Sequence, residues 1–246
     1  MSLKGALLFG RYAFPPNRLG YCGPDDNQAL LEQVSQGRPD RGLVELERRF
    51  EGAYPYLCLI AEANAIRDPF DSRVVEAYWI GNELLERVEA GPFHDSLSTR
   101  FRSRMKSSEF GWLERKLELA AQPHHNFHVF DVYVRAGLMR NERADIAVET
   151  MDSCRISWGR VAAVEGAALV VERPQLVLAG GKLALSEPRV VRAERQVDGH
   201  GFVDGVKAGD TVSIHWSWAC DVLDAGALTR LRRATDRSLA LANLTI

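Results

Sequence analysis

Cysteine is scarce and scattered. Cys22, Cys58, Cys154 and Cys220 are the only four in 246 residues, and no two form a Cys-x-x-Cys pair, so the spacing writes neither a zinc ribbon nor a redox dithiol. Free thiols in a reducing compartment fit that pattern best. No apolar run approaches the roughly 20 residues that cross a bilayer. The opening stretch has one lysine, Lys4, before a very short apolar run, and it meets Arg11 and the Pro15-Pro16 pair too soon for a signal sequence. A cytoplasmic protein without a membrane partner is therefore expected. Excess charge of one sign is missing too. The 31 basic residues nearly balance the 33 acidic ones, which excludes a general binder of phosphate backbones and leaves no expectation of a nucleic-acid partner.

What is present is enough apolar material for real cores, at 46% of the chain. In the first half the apolar residues recur at helical spacing. Pro24 with Asp25 and Asp26 suits a first turn, and Ala29, Leu30 and Val34 make one face. A second helix is expected from Asp40, with Leu43, Leu46 and Phe50 in its stripe. After the turn at Asp68–Ser72 a third is expected, with Val74, Val75, Tyr78, Trp79, Leu84, Leu85 and Val88 on one face and Gly91-Pro92 as its end. Two more are expected at Asp95–Met105 and Glu109–Ala121. The stretch Phe14–Asp25, rich in proline and glycine, reads as a loop. Within it Cys22 is either a small residue in a tight turn or a ligand or nucleophile on a rigid loop.

His124, His125 and His128 follow Pro123 and invite a metal reading. His124 and His128 share a face in either an extended or a helical conformation, but no third donor lies nearby in sequence. Arg140–Asp145 is polar and reads as a linker. From Ile156 the period changes to short strands, with turns expected at Glu165-Gly166 and Gly180-Gly181. Strands so short and numerous imply a small closed barrel, and Leu228, Leu231 and Leu239 fit a final helix. The expected fold is α+β and multidomain, with an all-α domain over 1–145 and a barrel with a C-terminal helix over 146–246.

Two stretches frame that barrel. Cys154-Arg155-Ile156-Ser157-Trp158-Gly159-Arg160-Val161 sets a thiol ahead of a glycine-started strand. Val206-Lys207-Ala208-Gly209-Asp210-Thr211-Val212-Ser213-Ile214-His215 leads through a turn into a strand carrying a histidine, read as running on to Ala219. Strand parity puts Val212, Ile214, Trp216 and Trp218 on one face and His215 on the other, pointing outward. For Cys154 two readings stand. Arg155 or Arg160 near the sulfur would favour the thiolate, whereas parity with Ile156 and Trp158 suits a buried, inert thiol.

Cys154, Gly159 and Val161, then Val206, Lys207, Gly209, Asp210, Val212, His215, Trp218-Ala219 and Leu223-Asp224, resemble in order the motifs of the small hydrogenase-assembly chaperones of the HypC/HupF family, with Trp158 where that family has proline. The resemblance implies an OB-like barrel that is a chaperone and not an enzyme. It implies that Cys154 and His215 hold an iron carrying cyanide and carbon monoxide ligands, and that the centre passes to the large subunit of a nickel-iron hydrogenase or to an assembly protein. It also implies a client surface at Trp158 and Gly159, beside the thiol. Two other classes stay open. One is a hydrolase or transferase with Cys154 as nucleophile and His215 as base. The other is a metal-free interaction scaffold.

Overall fold

A computed structural model describes residues 3–136 and 143–246. Its first part is helical: α1 (Leu3–Arg18), α2 (Asn27–Ser35), α3 (Arg41–Arg48), α4 (Tyr54–Ala63), α5 (Ser72–Trp79), α6 (Ala90–Phe101) and α7 (Ser107–Glu118). A continuous rod follows, made of α8 (His125–Phe127), a π-helical stretch (His128–Tyr133) and α9 (Val134–Ala136). Of the expected linker, residues 140–142 lie outside the described residues, and 144 and 145 open α10 (Ala144–Cys154). The sheet comprises β1 (Ser157–Glu165), β2 (Ala168–Ala179), β3 (Lys182–Glu194), β6 (Thr211–His215) and β7 (Trp218–Val222); β4 (Gln196–Val197) and β5 (His200–Gly201) pair separately, and α11 (Ala225–Ala242) ends the chain. Pairing runs β1-β2-β3-β7-β6 and back to β1, so the five strands close on themselves.

Helix starts follow the expected capping chemistry. Asp40 accepts from the Leu43 N–H at 2.9 Å, Asp71 from the Arg73 N–H at 3.0 Å and Asp224 from the Ala227 N–H at 2.7 Å, each satisfying an amide that the first turn leaves open. The helix expected to run to Val88 stops at Trp79 because Gly81 takes φ +94°, and Leu84 and Leu85 fall in a separate 3₁₀ turn. Gly91-Pro92 opens α6 instead of ending the preceding helix, since a first turn needs no amide from proline.

The largest departure is at Pro15-Pro16. The expected loop there is the last turn of α1. The Tyr12 carbonyl would ordinarily accept from the amide of residue 16, or of residue 15 in a tighter turn, and neither proline has one. His215 Nδ1, 2.7 Å away, takes that place. The same face of α1 lies along the sheet. Tyr12 Oη hydrogen-bonds Ser213 Oγ at 2.8 Å, Arg11 pairs with Asp221 at 2.9 Å, and Phe14 packs edge-on to Trp218 at 5.1 Å between centroids.

This packing corrects the outward placement of His215. Val212 and Ile214 enter the barrel core with Val161, Leu169 and Val171. Ser213 and His215 leave the barrel on the other side but meet α1, so they are buried too. The strand read as continuous to Ala219 is two strands. Trp216 and Ser217 both take positive φ (48° and 60°) and reverse the chain between β6 and β7. β2 and β3 are each single long strands where pairs of short ones were expected, and they carry a register shift between Pro174 and Leu176. The turns at Gly166 and at Gly180-Gly181 form as expected, all with φ near +60 to +77°. A single apolar cluster contains Phe9, Tyr12 and Trp79 together with Trp158, Trp218 and Leu231.

Cys154 is not on a strand either; it ends α10, and Asp152 fixes that end. The Asp152 carboxylate accepts from Arg155 Nε at 2.9 Å, from the Leu176 N–H at 2.8 Å and, at short range, from Arg173. With Asp152 and Arg155 both buried, Asp152→Ala leaves two guanidinium groups without their counterion and is expected to destabilise the protein by about 3–5 kcal/mol. Urea denaturation followed by far-UV circular dichroism measures this, and an effect below about 1 kcal/mol would show that the pair is not held in a dry environment.

Candidate metal centre

Three backbone anchors converge on one pocket. Asn126, at the start of the rod, accepts from the Ile156 N–H at 2.9 Å and donates to Thr235 Oγ1 at 2.9 Å, which sets His125 over the end of α10. The Trp216 N–H donates to the Ser153 carbonyl at 2.8 Å, docking the β6–β7 turn on the same helix end. His215 is oriented from the far side by the Tyr12 carbonyl. As a result one nitrogen of His125, the sulfur of Cys154 and one nitrogen of His215 lie within 4.8 Å of one another. Metal–sulfur and metal–nitrogen bonds of about 2.3 and 2.0–2.1 Å put tetrahedral donors roughly 3.5 Å apart. Small side-chain rotations close that gap.

The hydrogen bonds decide which lone pairs are free. The backbone carbonyl of Tyr12 only accepts, so His215 Nδ1 carries the proton and Nε2 the lone pair. That Nε2 is buried and has no hydrogen-bond partner among the described residues, and His215 is 1% exposed. A ring N–H given to a backbone carbonyl, leaving the other nitrogen for an ion, is the usual outer arrangement of a metal-binding histidine. His125 has two settings. Its Nε2 lies 2.8 Å from the Cys154 carbonyl and its Nδ1 3.1 Å from Tyr78 Oη. With the proton on Nε2 it donates to that carbonyl and accepts from Tyr78. With the proton on Nδ1 it donates to the tyrosine oxygen, and Nε2 becomes a donor atom for an ion.

Burial opposes charge on all three groups. It pushes the Cys154 thiol up to about 12, against the smaller opposing effect of the Trp216 indole. It pulls His125 down to about 4 and His215 well below its ordinary value, the latter helped by neighbouring His125. At neutral pH the thiol therefore stays protonated, so neither Arg155 nor Arg160 activates it. Arg155 is committed to Asp152, and Arg160 points away as an exposed residue of β1. A thiol so held, beside a histidine that resists protonation, lacks the thiolate–imidazolium character of a cysteine nucleophile.

The pocket around the three donors is mostly apolar, lined by Ala13, Pro16, Phe50 and Trp79 and by the rings of Tyr21, Tyr133 and Trp216. Tyr21 stacks on Trp216 with centroids 4.0 Å apart. Of the remaining expected site residues, Trp158 is 6% exposed, with the Arg155 and Arg232 guanidinium groups 5.9 and 5.5 Å from its ring. Gly159 is buried in β1, where an added Cβ would meet Val171 at 3.1 Å and Ile214 at 3.3 Å. Neither faces the three donors. In the histidine cluster the i,i+4 pair is not the one used. His124 accepts from the Asn126 N–H, and His128 Nδ1 sits 2.9 Å from Tyr56 Oη. The π-helical turn keeps His125, His128 and Tyr133 along the same pocket.

A family model described as "Family of unknown function (DUF6390)" matches residues 1–246. The chain belongs to the DUF6390 family. No curated protein and no solved structure matches it. What this DUF6390 chain does is therefore to be read from the pocket.

The buried histidines fix a pH dependence. His124 is lowered to about 3 and His125 to about 4 by burial, from 6.5, and His128 and His215 are also lowered. Above pH 6.5 the rings are neutral whether the chain is folded or not. As pH falls below that value the unfolded chain takes up protons that the folded one refuses, so stability is lost progressively toward pH 4, by up to about 1.4 kcal/mol per pH unit for each such ring. Denaturant midpoints measured between pH 7 and 4.5 should fall. His125→Gln should flatten the slope by roughly one ring's share, and an unchanged slope would mean that His125 titrates freely in the folded state.

Proposed function

We propose that the DUF6390 chain holds a transition-metal centre on Cys154, His215 and His125, and that it serves as an accessory chaperone in hydrogenase maturation. The observation that carries the metal reading is the convergence of three donor atoms within 4.8 Å, one of them a buried imidazole nitrogen with no other partner. A dry pocket suits a soft ion. It disfavours a free thiolate and a free imidazolium alike, and an ion bound by the neutral rings supplies the positive charge that stabilises the thiolate. Binding then releases the thiol proton, so affinity rises with pH.

Iron is favoured by the resemblance. A centre already carrying cyanide and carbon monoxide needs one soft sulfur and few further donors to be held, and leaves positions free for transfer. The closed five-stranded sheet followed by α11 suits the small OB-like, HypC-like barrel of the resembled chaperones, and Cys154 and His215 stand at the two ends of the matched segments. The client would be the large subunit of a nickel-iron hydrogenase or an assembly protein. Trp158 is buried and Gly159 packs against Val171 and Ile214, so neither offers a client surface. Docking would centre on the rim, where Tyr21 is 45% exposed and covers Trp216.

The test is to isolate the protein anaerobically from a host that assembles nickel-iron hydrogenase and to compare it with Cys154→Ala, His215→Ala and His125→Ala. Wild type should carry close to one iron per chain and show infrared bands of bound cyanide and carbon monoxide. Cys154→Ala and His215→Ala should lose both, and His125→Ala should lose iron faster on dilution. Iron content unchanged in Cys154→Ala would end the reading.

A further inference from the structure

The loop between α1 and α2 brings a second thiol to the same pocket. Cys22 lines it together with Cys154, and its position is built. Asn17 Nδ2 donates to the Cys22 carbonyl at 2.8 Å and to the Pro24 carbonyl at 2.6 Å, and Asn17 itself is 5% exposed. The Tyr21 N–H is held by the Pro16 carbonyl at 2.9 Å, and the Gly20 N–H by the Asn17 carbonyl at 2.9 Å. Gly20 and Gly23 take φ of +75° and +83°, a conformation that glycine alone adopts without cost. At Gly23 a Cβ would also strike the Phe50 ring at 2.4 Å, so the loop is packed down against α3's far end and is not a loose tether. The Cys22 residue is exposed on the outside of this loop. Cys22 nonetheless belongs to the wall of the pocket that Cys154 and His215 also line, and burial and then Cys154 raise its thiol above its ordinary value.

A cysteine alone would indicate nothing. Here the independent sign of a ligand is His215 Nε2, which is buried, unpartnered and part of the same pocket. Three donors leave a tetrahedral ion one short, and Cys22 is a further soft donor on the wall of the same pocket.

We infer that Cys22 is the fourth ligand of the centre, giving a two-sulfur, two-nitrogen set of Cys22, Cys154, His125 and His215 that suits a divalent transition ion before it acquires any diatomic ligand. The inference rests on the metal-holding reading of the three-donor cluster. Cys22 lies outside the 4.8 Å group, so its sulfur moves inward as the ion arrives, by rotation about its own Cα–Cβ bond. Each thiol gives up one proton to solvent and its sulfur lone pair forms one bond to the ion. No electron changes hands. The ligand brought by the loop is also the one that can leave, since it withdraws without disturbing α10, the rod or β6. The loop that carries it is the one that puts Tyr21 over Trp216.

Cobalt(II) reports the sulfur count. The apoprotein is titrated anaerobically at pH 7.5 with Co(II) alone, recording the sulfur-to-cobalt charge-transfer absorption and the protons released per ion, for wild type, Cys22→Ser and Cys154→Ser. Wild type should release two protons per ion. Cys22→Ser should release one, show about half the charge-transfer intensity and bind at least tenfold more weakly. Cys154→Ser should be weakened more. One proton per ion from wild type, with Cys22→Ser indistinguishable from it, overturns the fourth ligand and leaves the three-donor centre standing. Failure of wild type to bind Co(II) at all overturns both. The proton count of wild type decides the point even if Cys22→Ser folds poorly, which circular dichroism would show.

Discussion

Much of this molecule hangs on the hydrogen bond from His215 to the Tyr12 carbonyl. It exists because two consecutive prolines strip that carbonyl of both the donors a helix would give it, and because β6 runs alongside α1 at the right depth to supply another. The bond joins the first helix to a strand about two hundred residues later. It fixes which nitrogen of His215 carries the proton, and so leaves the other as a buried acceptor with no partner among the described residues. Tyr12 is held on its other side by stacking on Trp79 at 5.4 Å and by Ser213, so the carbonyl does not drift. A change at Pro16 that restored the helical amide would compete directly with the imidazole.

The chemistry of the pocket follows from its dryness. Water would let Cys154 ionise and let His215 protonate, and the pair would then neutralise each other without an ion. Rings from three separate elements exclude it: Tyr21 from the loop, Tyr133 from the rod and Trp216 from the turn. Burial thus favours the neutral form of all three groups.

Helix positions in the first part were legible because capping aspartates and apolar spacing are local signals, as Asp40, Asp71 and Asp224 show. Gly91-Pro92 was misread because its effect depends on which side of a boundary it falls, and the stop at Gly81 was not foreseen. The closed sheet was legible from turn glycines, but strand lengths were not, since β2 and β3 continue through a register shift that leaves no mark in composition. Cys154 and His215 could be singled out from the two framing stretches. Their burial could not, because parity says only that alternate residues face opposite sides, and here α1 covers the side expected to be wet. His125 was within view as one of three clustered histidines, yet the i,i+4 rule pointed to His124 and His128. The true partners lay 29 and 90 positions further along, where no spacing rule reaches.

The turn that separates β6 from β7 stores strain in its backbone. Tight hairpins of this kind settle most comfortably on Asn-Gly, and an L-residue forced into left-handed backbone loses on the order of 1–2 kcal/mol. Trp216 and Ser217 both accept that penalty. The ring of Trp216 lies against Tyr21 and on the wall of the pocket that holds Cys154, so the turn exchanges thermal robustness for an aromatic wall, and stabilising substitutions sought by design should leave it untouched.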